Sequence, residues 1–269
     1  MTTTTTGEPR CGAYRTTLLV VAIVLPLCAR LAAAPARDGD TLHENHLSQL
    51  MAGCLKLHIS RNELTPDIAA ATLSNLVQML DPAKTTFTKQ DVDGIYAMRV
   101  VFPQAYRHSD WGFVTGVYAL FLQRVAEQNS NALVYLSSPW TGLERDRAIV
   151  IDPKKRDFAT TPAEMQTNLE DALQYALAYL VASGESFTGA VAKVTRRRAR
   201  LYRVYEEFTH AERLGVFMNA FCAALDPHTA YFNPDDSDEF EINMSLSLEG
   251  IGAVLSQDDG VTEIKSLTP

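Results

Sequence analysis

Apolar residues return at intervals of three and four over most of the chain, the spacing that gathers them on one face of an α-helix. From Thr41 to Leu57 the set is Leu42, Leu47, Leu50, Met51, Leu55 and Leu57. Thr65-Pro66 then offers a capping hydroxyl and a proline suited to a first helical turn. It predicts a helix over Asp67–Leu80 with Ile68, Ala71, Leu76, Val77 and Leu80 as its stripe. Asp81-Pro82 ends that helix, because a proline pushes the residue before it out of helical backbone. Thr88 to Asp91 caps a third helix that continues through Ile95, Met98 and Val101, and Phe113–Val125 reads as a fourth. Ser137 to Asp157 is mixed and punctuated by proline, which predicts a loop with one short element. Thr161-Pro162-Ala163-Glu164 opens another helix, whose Leu169, Leu173, Leu177 and Leu180 lead to a stop near Gly184. Two more follow, Ser186–Glu207 and Ala211–Leu225, the second closed by Asp226-Pro227.

After Pro234 the period changes. Phe240 to Leu248 alternates apolar and polar residues, the pattern of a half-buried strand. Gly250-Ile251-Gly252 breaks it, Ala253–Leu255 reads as a second strand, Asp258-Asp259-Gly260 as a turn, and Val261–Leu267 as a third strand. Three short strands bury little by themselves, so this stretch reads as the front of a larger β domain. Val254, Leu255, Val261 and Ile264 would form an exposed apolar edge prone to cross-chain pairing. The fold class expected is mainly α: a multi-helix domain followed by an incomplete β segment.

The first 36 residues read as an address. Arg10 and Arg15 precede an apolar run, Leu18–Leu27, that is half of what a bilayer crossing needs. Ala34-Pro35-Ala36 fits the small-residue rule for signal cleavage, which would leave Arg37 at the front of the mature chain. An uncleaved N-terminal anchor is the other reading. Two lipoprotein-like sites fail: Cys28 follows Leu27 where a small residue is needed, and Met51-Ala52-Gly53-Cys54 follows a polar stretch.

Composition narrows the class further. The chain has 269 residues, 46% hydrophobic and 21% charged, which is ordinary globular usage. It carries 24 Lys and Arg against 32 Asp and Glu, a net charge of −8. Loss of the first 36 residues removes three basic groups and one acidic group and takes the charge to −10. So acidic a chain is a poor partner for nucleic acid. Four cysteines are too few for a disulfide scaffold, and Cys11 and Cys28 leave with the signal. Cys54 and Cys222 remain. In an oxidising compartment they can pair, and two buried free thiols is the other reading.

Several catalytic look-alikes fail on spacing. His43-Glu44-Asn45-His46 has the residue types of a zinc helix, but its histidines are three apart where four are required. Gly184-Glu185-Ser186-Phe187-Thr188 lacks the final glycine of a nucleophile elbow and sits between helices, so a helix-to-helix turn is expected. Cys222 shares an apolar helix face with Val216, Phe217, Phe221 and Leu225, which reads as a core thiol. Arg196, Arg197, Arg198, Arg200 and Arg203 read as a solvated face, with salt bridges inside the assembly as the functional alternative.

The most distinctive stretch is Leu225-Asp226-Pro227-His228-Thr229-Ala230-Tyr231-Phe232-Asn233-Pro234, followed by Met244-Ser245-Leu246-Ser247-Leu248-Glu249-Gly250-Ile251-Gly252-Ala253. It closely resembles the tail-specific protease family, or C-terminal processing peptidases, at the junction between an N-terminal helical domain and a PDZ domain. Leu64-Thr65-Pro66 and Leu80-Asp81-Pro82-Ala83-Lys84-Thr85-Thr86-Phe87 are a weaker echo, with Thr86 where an aromatic is usual. The stretch from about Val100 to Glu185 is a loose match, and Leu173-Gln174-Tyr175-Ala176 replaces an expected Trp-Arg helix.

The resemblance implies a signal peptide over 1–36, a helical domain over 37–232, and the start of a PDZ domain over 233–269. It implies a periplasmic serine endopeptidase that degrades proteins with apolar C-termini and needs no cofactor or metal. Gly250, Ile251, Gly252 and Ala253 would hold a peptide carboxylate on backbone N–H groups, with Leu246 and Leu248 lining the apolar side. The other reading of Gly250-Ile251-Gly252 is a tight turn or bulge between core strands. The family cuts with a Ser–Lys dyad that no residue here matches, so this portion is expected to be non-catalytic. Its partners would be protein C-termini and, by the family's architecture, a lipoprotein adaptor of helical repeats. A stand-alone helical binding or regulatory module, or the product of a disrupted gene with no activity, are the alternatives.

Overall fold

A computed structural model describes residues 42–138, 143, 146–245, 253–258 and 261–267. The expected helices form almost where the spacing places them. With two more among the described residues that the spacing does not predict, Phe102–His108 and Pro234–Ser245, the helices are α1 (Glu44–Leu57), α2 (Pro66–Leu80), α3 (Lys89–Ala97), α4 (Phe102–His108), α5 (Gly112–Ser137), α6 (Pro162–Ala182), α7 (Phe187–Glu207), α8 (His210–Leu225) and α9 (Pro234–Ser245). The fold is mainly α. Hydroxyl caps set the starts: Thr65, Thr88, Thr161, Ser186 and Thr209 each accept an N–H from the first turn of the helix they precede. Among its described residues, the proline-punctuated stretch carries a short 3-10 turn, Pro153–Lys155.

The helices enclose two cores. The first gathers α1, α2, α3, α4, α8 and the front of α5, with α2 lying along α8. Its centre is an aromatic cluster of Phe102, Trp111, Phe113 and Phe217, with ring centroids 5.3–6.0 Å apart. Buried Trp111 donates its indole N–H to Ser48 Oγ at 3.0 Å, so the ring loses no hydrogen bond on burial. The second core packs Ala132 and Leu136 of α5 against leucines of α6 and Ala190 and Val194 of α7. At 26 residues α5 is about 39 Å long, enough to serve both cores.

The loop before α6 is clipped back onto the first core. Lys89 N–H donates to Ala159 O at 2.8 Å, Lys84 Nζ donates to Arg156 O at 2.6 Å, and Arg156 Nη1 donates to Ala83 O at 3.1 Å.

The last elements differ in part from expectation. Phe240 to Ser245 is helical, not a strand; Leu246 to Leu248 lie outside the described residues. Local signals decide it. Asn233 Oδ1 accepts the Asp236 N–H at 2.8 Å, Asn233 O accepts the Ser237 N–H at 2.9 Å, and Pro234 has its backbone angle already fixed for a first turn. A helix satisfies its own backbone groups, whereas a strand needs a neighbour. The other two strands form as an antiparallel pair, β1 (Ala253–Asp258) and β2 (Val261–Leu267), with a bulge after Val254. Of the expected apolar edge, Ile264 is exposed.

Candidate functional site

The junction that leads from α8 towards the hairpin is built around one carboxylate. Asp226 caps the C-terminus of α8, and its side chain turns forward into the following loop. Oδ1 accepts the N–H groups of His228 at 2.6 Å and Thr229 at 3.0 Å. Oδ2 accepts the Thr229 hydroxyl at 2.5 Å and the His58 Nε2–H at 2.9 Å. The Thr229 hydroxyl first, then the His228 amide and the His58 ring, hold the Asp226 carboxyl well below the usual carboxylate range. His58 is itself the C-cap of α1, and its Nδ1 accepts the N–H groups of Ser60 and Arg61 at 3.2 and 2.9 Å. With Nδ1 accepting those two bonds, the ring hydrogen that meets Asp226 is on Nε2. Two helix ends are thus tied together by one histidine–aspartate contact.

Downstream, Tyr231 N–H donates to Asn219 Oδ1 at 2.8 Å, which folds the chain back along α8. Phe232 then stacks on Phe240 of α9 at 5.3 Å, and both rings stay about half exposed at 48%. Ile242 and Met244 are exposed on the same helix. Among the site residues expected from sequence, Leu246, Leu248, Gly250, Ile251 and Gly252 lie outside the described residues. Ala253 is the first residue of β1 and pairs with Leu267.

The look-alike motifs resolve into structural roles. His46 Nδ1 accepts the His43 N–H at 3.3 Å at the start of α1, and the two rings meet edge to face. Among the described residues no group of three His, Cys, Asp or Glu side chains is arranged to hold a metal. Gly184 to Ser186 form the expected turn between helices, and Phe187 and Thr188 open α7. Gly184 takes a φ of +99°, its N–H donates to Val181 O, the Glu185 N–H donates to Leu180 O, and Ser186 caps α7 through the Gly189 N–H. Cys222 is buried in the first core, and both it and Cys54 are free thiols. The arginine run is solvated only in part: Arg196, Arg197 and Arg203 are exposed, while Arg198 Nε is buried without a hydrogen-bond partner and burial lowers its pKa.

Three features escape a reading by periodicity. Asp81, the counterpart of Asp226 at the end of α2, is buried and accepts the N–H groups of Thr85, Thr86 and Phe87, each at 2.9 Å. Burial raises its pKa against those three donors. Asp91 receives a two-pronged contact from Arg124 of α5, at 2.8 and 2.9 Å. Burial works to raise the Asp91 carboxyl, and Arg124 together with the Thr88 amide and hydroxyl outweighs it, leaving the group below its ordinary value. His58 carried no sequence signal, since its partner lies 168 positions away. The Leu-Asp-Pro shared by 80–82 and 225–227 was the one available hint that both aspartates gather loop amides.

A family model described as the tail-specific protease N-terminal domain matches residues 50–235. A curated relative, the tail-specific protease of Haemophilus influenzae, is 25% identical over 215 residues. That alignment covers 79% of this chain and 30% of the relative, so the chain spans about a third of the length of the protein it matches.

Proposed function

Since the chain belongs to the tail-specific protease N-terminal domain family, we propose that it is the non-catalytic, N-terminal portion of a periplasmic serine endopeptidase acting on proteins with apolar C-termini. The observation that carries this reading is the family match over residues 50–235, which runs through the Asp226 junction and into the start of α9. The helical domain holds that junction rigid through the two-helix tie of His58 to Asp226. It thereby presents the segment after it, in which the backbone of Gly250, Ile251, Gly252 and Ala253 is proposed to receive a peptide carboxylate beside Leu246 and Leu248. The hydrophobic run Leu18–Leu27 and the Ala34-Pro35-Ala36 site support export and cleavage before Arg37. A helical-repeat lipoprotein is the proposed adaptor partner.

Casein and an apolar-tailed peptide, incubated with the purified chain, are expected to remain uncut. Turnover that persists through purification to homogeneity, and that tracks with the protein peak, overturns the non-catalytic reading. Expression with fractionation and N-terminal sequencing tests export. A periplasmic product beginning at Arg37 supports the reading, and a cytoplasmic product retaining Met1 defeats it.

A further inference from the structure

Cys54 lies one turn before the α1 cap: the His58 N–H donates to Cys54 O at 2.9 Å. Cys222 lies one turn before the α8 cap: the Asp226 N–H donates to Cys222 O at 3.3 Å. The two caps meet through His58 Nε2–H and Asp226 Oδ2 at 2.9 Å, and α1 packs on α8. Stepping back one turn along each helix from that contact brings residues four positions earlier onto the same facing surfaces. The two thiols accordingly come close enough across the helix pair for each to shift the other's titration. Cys222 is buried and Cys54 is only half-buried, so one of the two is within reach of a reagent from solution.

We propose that Cys54 and Cys222 are an oxidisable pair whose intramolecular disulfide fastens α1 to α8. The inference does not depend on the peptidase reading, because it rests on the geometry of the helical domain alone. The oxidant is a disulfide, either a small molecule or an oxidoreductase. Cys54 as thiolate attacks one sulfur of that disulfide, the S–S bond breaks, and the first thiolate leaves. Cys222 then gives up its proton and attacks Cys54 Sγ in the mixed disulfide, releasing the second thiolate. Two protein thiols lose two protons and two electrons, and the oxidant is reduced to two thiols.

The order of attack follows from the surroundings. The neighbouring Cys222 lowers the Cys54 thiol to about 7 against the effect of burial, which favours its thiolate. Cys54 in turn, together with burial and the Asp226 charge, pushes Cys222 up, so it serves as the resolving group and not the first nucleophile. The cross-link joins positions 168 residues apart and so restrains nearly the whole helical domain in its unfolded state.

The full chain, equilibrated with glutathione buffers from fully reduced to fully oxidised, acid-quenched, alkylated and digested, decides the matter. A peptide linking Cys54 to Cys222, lost in Cys54→Ser and restored to two alkylated peptides by reductant, is the result expected. Overturning results are two alkylatable thiols throughout the oxidised range, glutathione mixed disulfides that do not resolve, or links from Cys54 or Cys222 to Cys11 or Cys28 in place of each other. The thermal midpoint of the unaltered chain keeps the test independent of how the variants fold. It should drop by several degrees on adding reductant to the oxidised protein, and an unchanged midpoint counts against the link.

Discussion

At the scale of single residues, the informative contacts are carboxylates that collect donors. Asp226 serves two amides, a hydroxyl and an imidazole, and its pKa is depressed. A carboxyl held low in the folded state contributes stability that is present above its unfolded value, about 3.9, and lost as the pH falls through the folded one. Asp91 has the same sign through Arg124 and Thr88. Asp81 has the opposite sign, since its raised pKa yields stability below the unfolded value that is lost as the pH rises. Thermal midpoints should therefore fall when the pH is taken from 6 to below about 4. The comparison of Asp226→Asn with the unaltered chain isolates one site: the acid-induced drop should be smaller in the variant. An equal drop in both means Asp226 carries none of the linkage. The Leu-Asp-Pro triplets made both aspartates legible as helix stops. That their carboxylates organise the next loop was not legible, because the donors are backbone amides that every residue possesses.

Among elements, the errors of periodicity have identifiable causes. Phe240, Ile242, Met244, Leu246 and Leu248 stand two apart and read as a strand, yet over Phe240–Ser245 that alternation carries little weight beside the Asn233 cap and Pro234. The reading of α5 stopped at Val125 because Gln128 occupies the next core position, being only 6% exposed; the stripe resumes at Ala132 and Leu136. A polar residue in an apolar register hides the period. The short α4 went unseen since seven residues hold too few turns to show one, and it ends in a left-handed Ser109 with φ 54°. Two glycines test how far helix geometry governs stability here. Gly116 is exposed inside α5 with nothing within 4 Å of an added Cβ, so Gly116→Ala should raise stability by about 0.5–1 kcal/mol. Gly184 has equal space but a φ of +99°, so Gly184→Ala should lower stability by roughly 1 kcal/mol. Urea midpoints at constant m-value read both; a stabilised Gly184→Ala would mean that the turn can abandon its left-handed residue.

Taken as a whole, the helical chain is two cores of unequal quality strung on one long helix. The first core buries Phe87, Phe102, Trp111, Phe121, Phe217 and Phe221 below 2% exposure. Among the described residues the second buries only Ala, Leu and Val: Ala132, Leu136, Leu169, Leu173, Leu177, Leu180, Ala190 and Val194. Aromatic side chains contribute the largest buried areas, so the second core gains less per residue from leaving water. It also neighbours the stretches of α5 and α7 that carry buried, unpaired Gln128 Oε1, Asn129 Oδ1 and Arg198 Nε. Each such group costs on the order of 1–3 kcal/mol. Charge does little to offset this: the Arg147–Asp171 pair, at 2.7 Å, is largely withdrawn from solvent, so desolvation of both groups cancels much of its attraction. The two halves should therefore open at different free energies, the α6–α7 half first. Native-state hydrogen exchange followed by mass spectrometry is the measurement. Amides within Leu169–Leu180 and Ala190–Val194 should exchange roughly tenfold or more faster than those of α2 and α8, the equivalent of about 1.4 kcal/mol. Cross-linking Cys54 to Cys222 would slow the α1–α8 half and leave α6 and α7 nearly unchanged, because the bond closes within the first core. Equal protection in both halves would show that α5 transmits its packing along its full length, and that the molecule opens as one unit.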